Sequence, residues 1–245
     1  MSARVTLAVA GRVLRQVRRD QRTLAMLLLV PCALISLLWW MLEDQRGGVF
    51  DRFGPGLLAM FPFIVMFLVT SVTTLRERSS GTLERLLTMP MGRLDFLLGY
   101  ALAFGLLAAL QSALAVAVSV GLLGLDVQGP VWLLGVVAVA DAVLGTALGL
   151  LVSAFATTEF QAVQFMPAFV LPQVLLCGLF VPRETMPGVL EAVSDVLPMS
   201  YAVDAMQDLG RTSATGEVWS SVGVVACFAL AALALGAATL RRRTP

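Results

Sequence analysis

The chain has no histidine, and all 17 of its basic residues are arginine, so lysine is missing as well. A P-loop needs a lysine on the β and γ phosphates, and neither that motif nor a GxGxxG occurs. Nucleotide hydrolysis by that route is therefore excluded. The missing histidine removes catalytic triads built on it, HExxH zinc sites and histidine proton relays. Cysteine is scarce: Cys32, Cys177 and Cys227 sit far apart in apolar runs without CxxC spacing, and read as small buried hydrophobes. No metal site and no catalytic residue is expected. Charge is sparse too, at 13% of residues and a net +1, which gives no general attraction to nucleic acid.

What fills the chain instead is apolar. Hydrophobic residues make up 58% and mean hydropathy is +0.88, beyond the roughly 45 to 50% apolar usage of soluble domains. The fold class expected is all-α, a polytopic membrane protein of 245 residues with about six crossings of roughly 20 residues each. The spans fall at about 24–42, 57–75, 96–125, 131–153, 160–181 and 218–240, making residues 23–245 one transmembrane domain preceded by a separate segment, 1–22. A cleaved signal peptide fits poorly: the basic lead-in is too long and no A-x-A-like site follows the first run. With six spans both termini share a side, and that side holds thirteen of the 17 arginines. The positive-inside rule makes it cytoplasmic.

Residues 1–22 have a geometry of their own. At about 100° per residue, all six arginines fall in an arc of about 120°, opposite Val5, Val9, Val13, Val17 and Leu14. This is an amphipathic interfacial helix, with the arginines toward headgroups and cytoplasm and the valines toward the acyl boundary. A topology anchor alone and an added contact with a cytoplasmic partner both account for it.

Between the second and third spans, residues 76–95 carry seven charged side chains in twenty positions. Gly81 suits an N-cap, Glu84 the first turn of a helix, and Pro90 its end. On such a helix Leu83, Leu86 and Leu87 share one face. A polar turn needs about 4 to 6 residues, and this one spends far more. From the residues alone, an interfacial helix dipping into lipid and a protein-docking knob stand equal.

Inside the spans, Asp141 is exceptional: a carboxylate at mid-membrane costs on the order of 2.5 to 3.5 kcal/mol, so it should face protein or water. Gly145 and Gly149 continue its face as a GxxxG strip for helix contact. Gln111, Gln164 and Gln173 join Asp141 as candidates for lining a substrate pathway. Between Pro182 and Glu217, Leu190, Val193, Val196 and Leu197 suggest short re-entrant helices before the last span.

The stretch RERSSGTLERLLTMPMGRLDFLLGY, Arg76 to Tyr100, resembles the cytoplasmic loop of the permease subunits of bacterial type-2 ATP-binding-cassette exporters, drug-resistance exporters among them. Their pattern R-E-[RK]-E-x-G-T-x-E-x-L-L-x-x-P is met by Arg76, Glu77, Arg78, Gly81, Thr82, Glu84, Leu86, Leu87 and Pro90, with Ser79 in place of an acidic residue. Thr158 to Pro187 resembles the fifth span and its outer exit in the same family, and Leu197 to Met206 the segment leading to the sixth. The resemblance implies a permease without a nucleotide site of its own, not itself an enzyme. It binds no cofactor; ATP and Mg belong to a cytoplasmic ATPase subunit. A second permease copy, identical or different, and membrane lipids complete the partners, in a bacterial inner membrane with both termini cytoplasmic. Glu77, Arg78, Gly81, Thr82, Leu83, Glu84, Arg85, Leu86 and Leu87 would form the ATPase-coupling element, the leucines in a groove and the charges at its rim. The cargo implied is an amphipathic drug-like or lipid-like compound, moved outward. Two other readings stay open: an ion-coupled secondary transporter using Asp141, and a membrane scaffold without transport.

Overall fold

A computed structural model describes residues 2–43, 48–79 and 93–239. Among the described residues the secondary structure is helical, without a strand. In chain order the long helices are α1 (Ala3–Arg19), α2 (Gln21–Leu42), α3 (Val49–Ser79), α4 (Arg93–Gly121), α5 (Val131–Ser153) and α6 (Glu159–Leu176). A 3-10 turn (Arg183–Thr185), α7 (Gly188–Val196), α8 (Pro198–Arg211) and α9 (Gly216–Thr239) follow.

Five of the described helices, α2, α3, α4, α5 and α9, are long and apolar enough to cross a membrane, and the protein is a multi-pass membrane protein. Helix α6 covers most of the remaining expected span but ends at Leu176 rather than Val181. Glu159, Gln161, Gln164 and Gln173 dilute its apolar content within only 18 residues. Helix α4 stops at Gly121 rather than Leu125. There Leu122 and Leu123 donate to the Val118 carbonyl and Leu125 to that of Ser119, at 2.9 to 3.0 Å, and fold the chain back.

Helix α5 is the centre of the bundle. It packs against α3, α4 and α9, and buries Asp141, Leu144, Gly145 and Gly149 among most of its other residues. An added Cβ at Gly145 would lie 2.5 Å from the Phe63 carbonyl oxygen, and one at Gly149 would lie 2.5 Å from that of Phe67. The two backbones therefore touch where only glycine leaves room. Phe63, Phe67, Leu58, Leu133 and Leu134 fill the core around this seam. Helix α8 lays Met199, Val203, Met206 and Leu209 against α3 and α9 at the end of the bundle away from α1, while Val189 and Val196 of α7 stay exposed.

Helix α1 departs from the expectation in one respect. Its apolar face does not meet acyl chains: Val9, Val13 and Val17 are buried in a cluster with Phe96, Leu97 and Tyr100 of α4 and Leu27 of α2. Gly99 makes this approach close, because a Cβ there would sit 2.6 Å from Val9 Cγ1. An amphipathic pattern records that a face is covered, by lipid or by protein alike. Asp20 separates α1 from α2 and caps α2 through the Thr23 N–H and hydroxyl, at 3.1 and 2.6 Å, and these bonds hold its carboxyl below the usual range.

Candidate functional site

The segment expected to couple to a partner leaves the bundle from the last turn of α3 and returns at the first turn of α4, beside α1. Residues Gly81, Thr82, Leu83, Glu84, Arg85, Leu86 and Leu87, and the helix expected over them, lie outside the described residues. Arg78 belongs to the last turn of α3. The two stems of the segment are built from charge.

Glu77 is 4% exposed. Its Oε1 accepts from Arg12 Nη2 of α1 at 3.2 Å, and its Oε2 accepts from the Tyr100 hydroxyl of α4. The expected place for Glu77 was the rim of a docking surface. It instead faces inward and joins three helices, since a carboxylate so enclosed must be met by donors. Phe96 and Phe104 pack against the Tyr100 ring and fix its hydroxyl. On the returning stem Asp95, 5% exposed, accepts from the Ser2 N–H at 3.0 Å and the Thr6 hydroxyl at 3.2 Å. Helix α1 thus grips both stems, through Arg12 on one and Ser2 with Thr6 on the other.

Arg76, the neighbour of Glu77, points elsewhere. Its Nε and Nη2 donate to Oε1 and Oε2 of Glu159, the first residue of α6, at 3.0 and 3.1 Å. This bidentate geometry fixes orientation as well as distance. The Thr158 hydroxyl accepts from the Gln161 N–H at 3.1 Å and caps the same turn.

The pathway candidates are not gathered in one place. Asp141 and Gln111 are completely buried, on α5 and α4, and neither has a hydrogen-bond partner among the described residues. Between the same two helices the Ser112 hydroxyl donates to the Ala138 carbonyl at 3.1 Å. Gln173 is buried and donates from Nε2 to the Phe169 carbonyl at 3.2 Å. Gln164 is exposed. Nine residues at about 100° each put Gln164 and Gln173 on opposite faces of α6.

The other end of the bundle holds a polar cavity of about 380 Å³ lined by residues from α3, the chain after α6, α7, α8 and α9. Arg183 is its organiser. It pairs with Asp195 of α7 and Asp204 of α8, and its guanidinium lies over the Tyr201 ring, 5.6 Å from the centroid. The Tyr201 hydroxyl donates to the Asp195 carbonyl at 2.8 Å, and Ser194 Oγ donates to the Leu176 carbonyl at 2.7 Å, which ties α7 to α8 and to the end of α6. Burial pushes the Asp204 carboxyl up against the opposing pull of Arg183, and burial with the nearby Glu217 carboxylate pushes Asp208 up.

Sequence reading missed Arg12, Tyr100, Asp95, Thr6 and the Arg76–Glu159 pair as parts of the site. Asp95 and Glu159 carried a weak signal, as isolated acids at the edges of apolar runs. Nothing in the sequence pairs Arg12 with a residue 65 positions away.

Residues 4–209 match the family described as ABC-2 type transporter. "Probable multidrug ABC transporter permease YbhS" of Escherichia coli K12 is 30% identical over 156 residues, covering 63% of this chain and 41% of that protein. "Probable multidrug ABC transporter permease YbhR" of the same organism is 28% identical over 169 residues, 69% of this chain and 46% of that one. "Linearmycin resistance permease protein LnrN" of Bacillus subtilis is 24% identical over 186 residues, 73% of this chain and 48% of that one. The chain spans less than half the length of these relatives.

Proposed function

The chain belongs to the ABC-2 type transporter family, and on that premise we propose that it is the membrane-spanning permease of an ATP-binding-cassette exporter. It moves an amphipathic drug-like or lipid-like compound outward, using ATP and Mg bound by a separate cytoplasmic ATPase. The names of the bacterial relatives, multidrug and linearmycin-resistance permeases, support that cargo class. The single observation that carries the reading is the anchoring of residues 76–95: charged side chains tie both stems of the motif-bearing segment into the bundle, so a push on it reaches several helices.

In this reading α6 is the sixth crossing. The arginine distribution puts the α1 end in the cytoplasm of a bacterial inner membrane, and α7 and α8 cap the outer exit. Leu83, Leu86 and Leu87 enter a groove on the ATPase, with Arg78, Glu84 and Arg85 at its rim and Glu77 holding the stem. A second permease copy completes the pore. Asp141 and Gln111, buried on α5 and α4, are the candidates for the substrate route inside the bundle.

The test is to purify the chain from its native membranes, identify what accompanies it, and compare Leu86→Asp with the unaltered chain. The substitution is expected to abolish both ATPase association and ATP-dependent export. An ATPase that stays bound and active with Leu86→Asp removes the docking face; the lack of any ATPase in the preparation removes the exporter reading.

A further inference from the structure

We infer that the Arg76–Glu159 pair is the link through which movement of the segment after α3 reaches α6, and that both are positioning residues for the transport step. The inference deepens the reading above and rests on it. Three observations carry it.

First, the two neighbours at the end of α3 reach different helices. Glu77 bonds to Arg12 of α1 and Tyr100 of α4, and Arg76 bonds to Glu159 of α6. A displacement of this turn is therefore imposed on two sides of the bundle at once. Second, α6 packs on α3 by one face and leaves the other open. It buries Ala162, Val170 and Gln173, while Phe160, Val163, Phe169, Leu171 and Leu175 are exposed. Pro167 and Pro172 each remove a backbone donor from its interior, which favours bending there. Ala162 packs in a small cluster with Leu75 and Ala156 at the Arg76 end, and Ser194 bonds the Leu176 carbonyl at the other. A helix with one open face has room to follow what happens at its ends. Third, the contact suits the task. Glu159 stands in a turn capped by Thr158, so force on its carboxylate enters the helix rather than a loose loop. Two parallel N–H to oxygen bonds transmit rotation as well as translation. The pair is exposed, with side chains 63% and 47% accessible, and exposed pairs add little to stability. Its geometry can thus be changed without unfolding the chain.

The experiment uses the full complex with its ATPase, in liposomes, with Cys32, Cys177 and Cys227 replaced by alanine. Spin labels are placed at the exposed positions Val163→Cys on α6 and Leu106→Cys on α4. The distance between the labels is measured without nucleotide and with Mg-ATP and vanadate, together with the thermal midpoint. The unaltered pair is expected to show a nucleotide-dependent shift in distance. Arg76→Glu and Glu159→Arg, each alone, are expected to lose that shift at an unchanged midpoint and with the ATPase still bound; Arg76→Glu combined with Glu159→Arg is expected to restore it. A shift that survives either single reversal overturns the link. So does a double reversal no better than the singles, which would assign Arg76 to direct contact with the ATPase. No shift with the unaltered pair also overturns it, whereas loss of the exporter reading is read separately, from whether an ATPase co-purifies.

Discussion

Arg12 of α1 and Glu77 of α3 meet at 3.2 Å across 65 residues of sequence, and the Tyr100 hydroxyl closes the other side of the same carboxylate. Three helices thereby share one buried acid at the root of the segment proposed to receive the ATPase. Hydrogen bonds to charged groups contribute about 1.5 to 3 kcal/mol each. Tyr100→Phe is therefore expected to lower the stability of the purified protein by that order, and Glu77→Ala by at least as much, because it strands Arg12 and Tyr100 together. Thermal unfolding in detergent checks both. A Tyr100→Phe protein as stable as wild type would remove the joint from the account.

The α3–α5 seam predicts a steeper response to added volume. At Gly145 and Gly149 a methyl group would collide with the Phe63 and Phe67 carbonyls, which are backbone and cannot swing aside. Overpacking a core costs about 1 to 3 kcal/mol. Gly145→Ala and Gly149→Ala should each reach the upper part of that range, and the pair together should reduce the amount of folded protein in the membrane. Gly135→Ala, on the same helix with open space around it, serves as the control and should be neutral or slightly stabilising.

Asp141 lies in that core with no hydrogen-bond partner among the described residues. Asp141→Asn keeps the shape and removes the prospect of a buried charge, so the thermal midpoint is expected to stay equal or rise. A fall in the midpoint would mean that the carboxylate has a partner in the assembled complex. Unchanged stability with reduced export of the native cargo would place Asp141 on the transport route.

The helix pair α7 and α8 should respond to acid. Burial and the Glu217 carboxylate raise the Asp208 carboxyl above its usual value. The folded state then holds the proton more tightly than the unfolded chain, so Asp208 favours folding below the ordinary carboxylate range. That contribution is lost as pH rises through the folded value. Trp219 and Trp132, whose ring centroids are 6.2 Å apart, give a fluorescence signal for unfolding. Asp208→Asn is expected to flatten the pH dependence of that signal in the mildly acidic range, leaving neutral-pH stability equal or higher. An unchanged profile would assign the dependence to Asp204 instead.

Much of this architecture was legible because membranes act on composition. Runs of about 20 apolar residues have few outcomes in a bilayer, so α2, α5 and α9 fell where hydropathy put them, while α3 begins at Val49 rather than near Leu57. Helix α1 was legible as a helix, since six arginines on one arc leave a single apolar face. What covers that face was not, because valine is buried as well by Tyr100 and Phe96 as by acyl chains. The ends of α4 and α6 were misplaced for a related reason: hydropathy continues past Gly121 and Leu176, while the backbone turns there.

The sequence by itself determined that this chain crosses a membrane repeatedly, carries no P-loop and sets a dense charged motif between two apolar runs. Local composition decides each of these, because a single helix must satisfy bilayer and backbone on its own. The tertiary structure alone decided which charges in and around that motif face inward. Glu77 and Asp95 could each have stood in water. Their partners Arg12 and Thr6 come from distant parts of the chain, and only packing brings them near enough to offset the cost of enclosing a carboxylate.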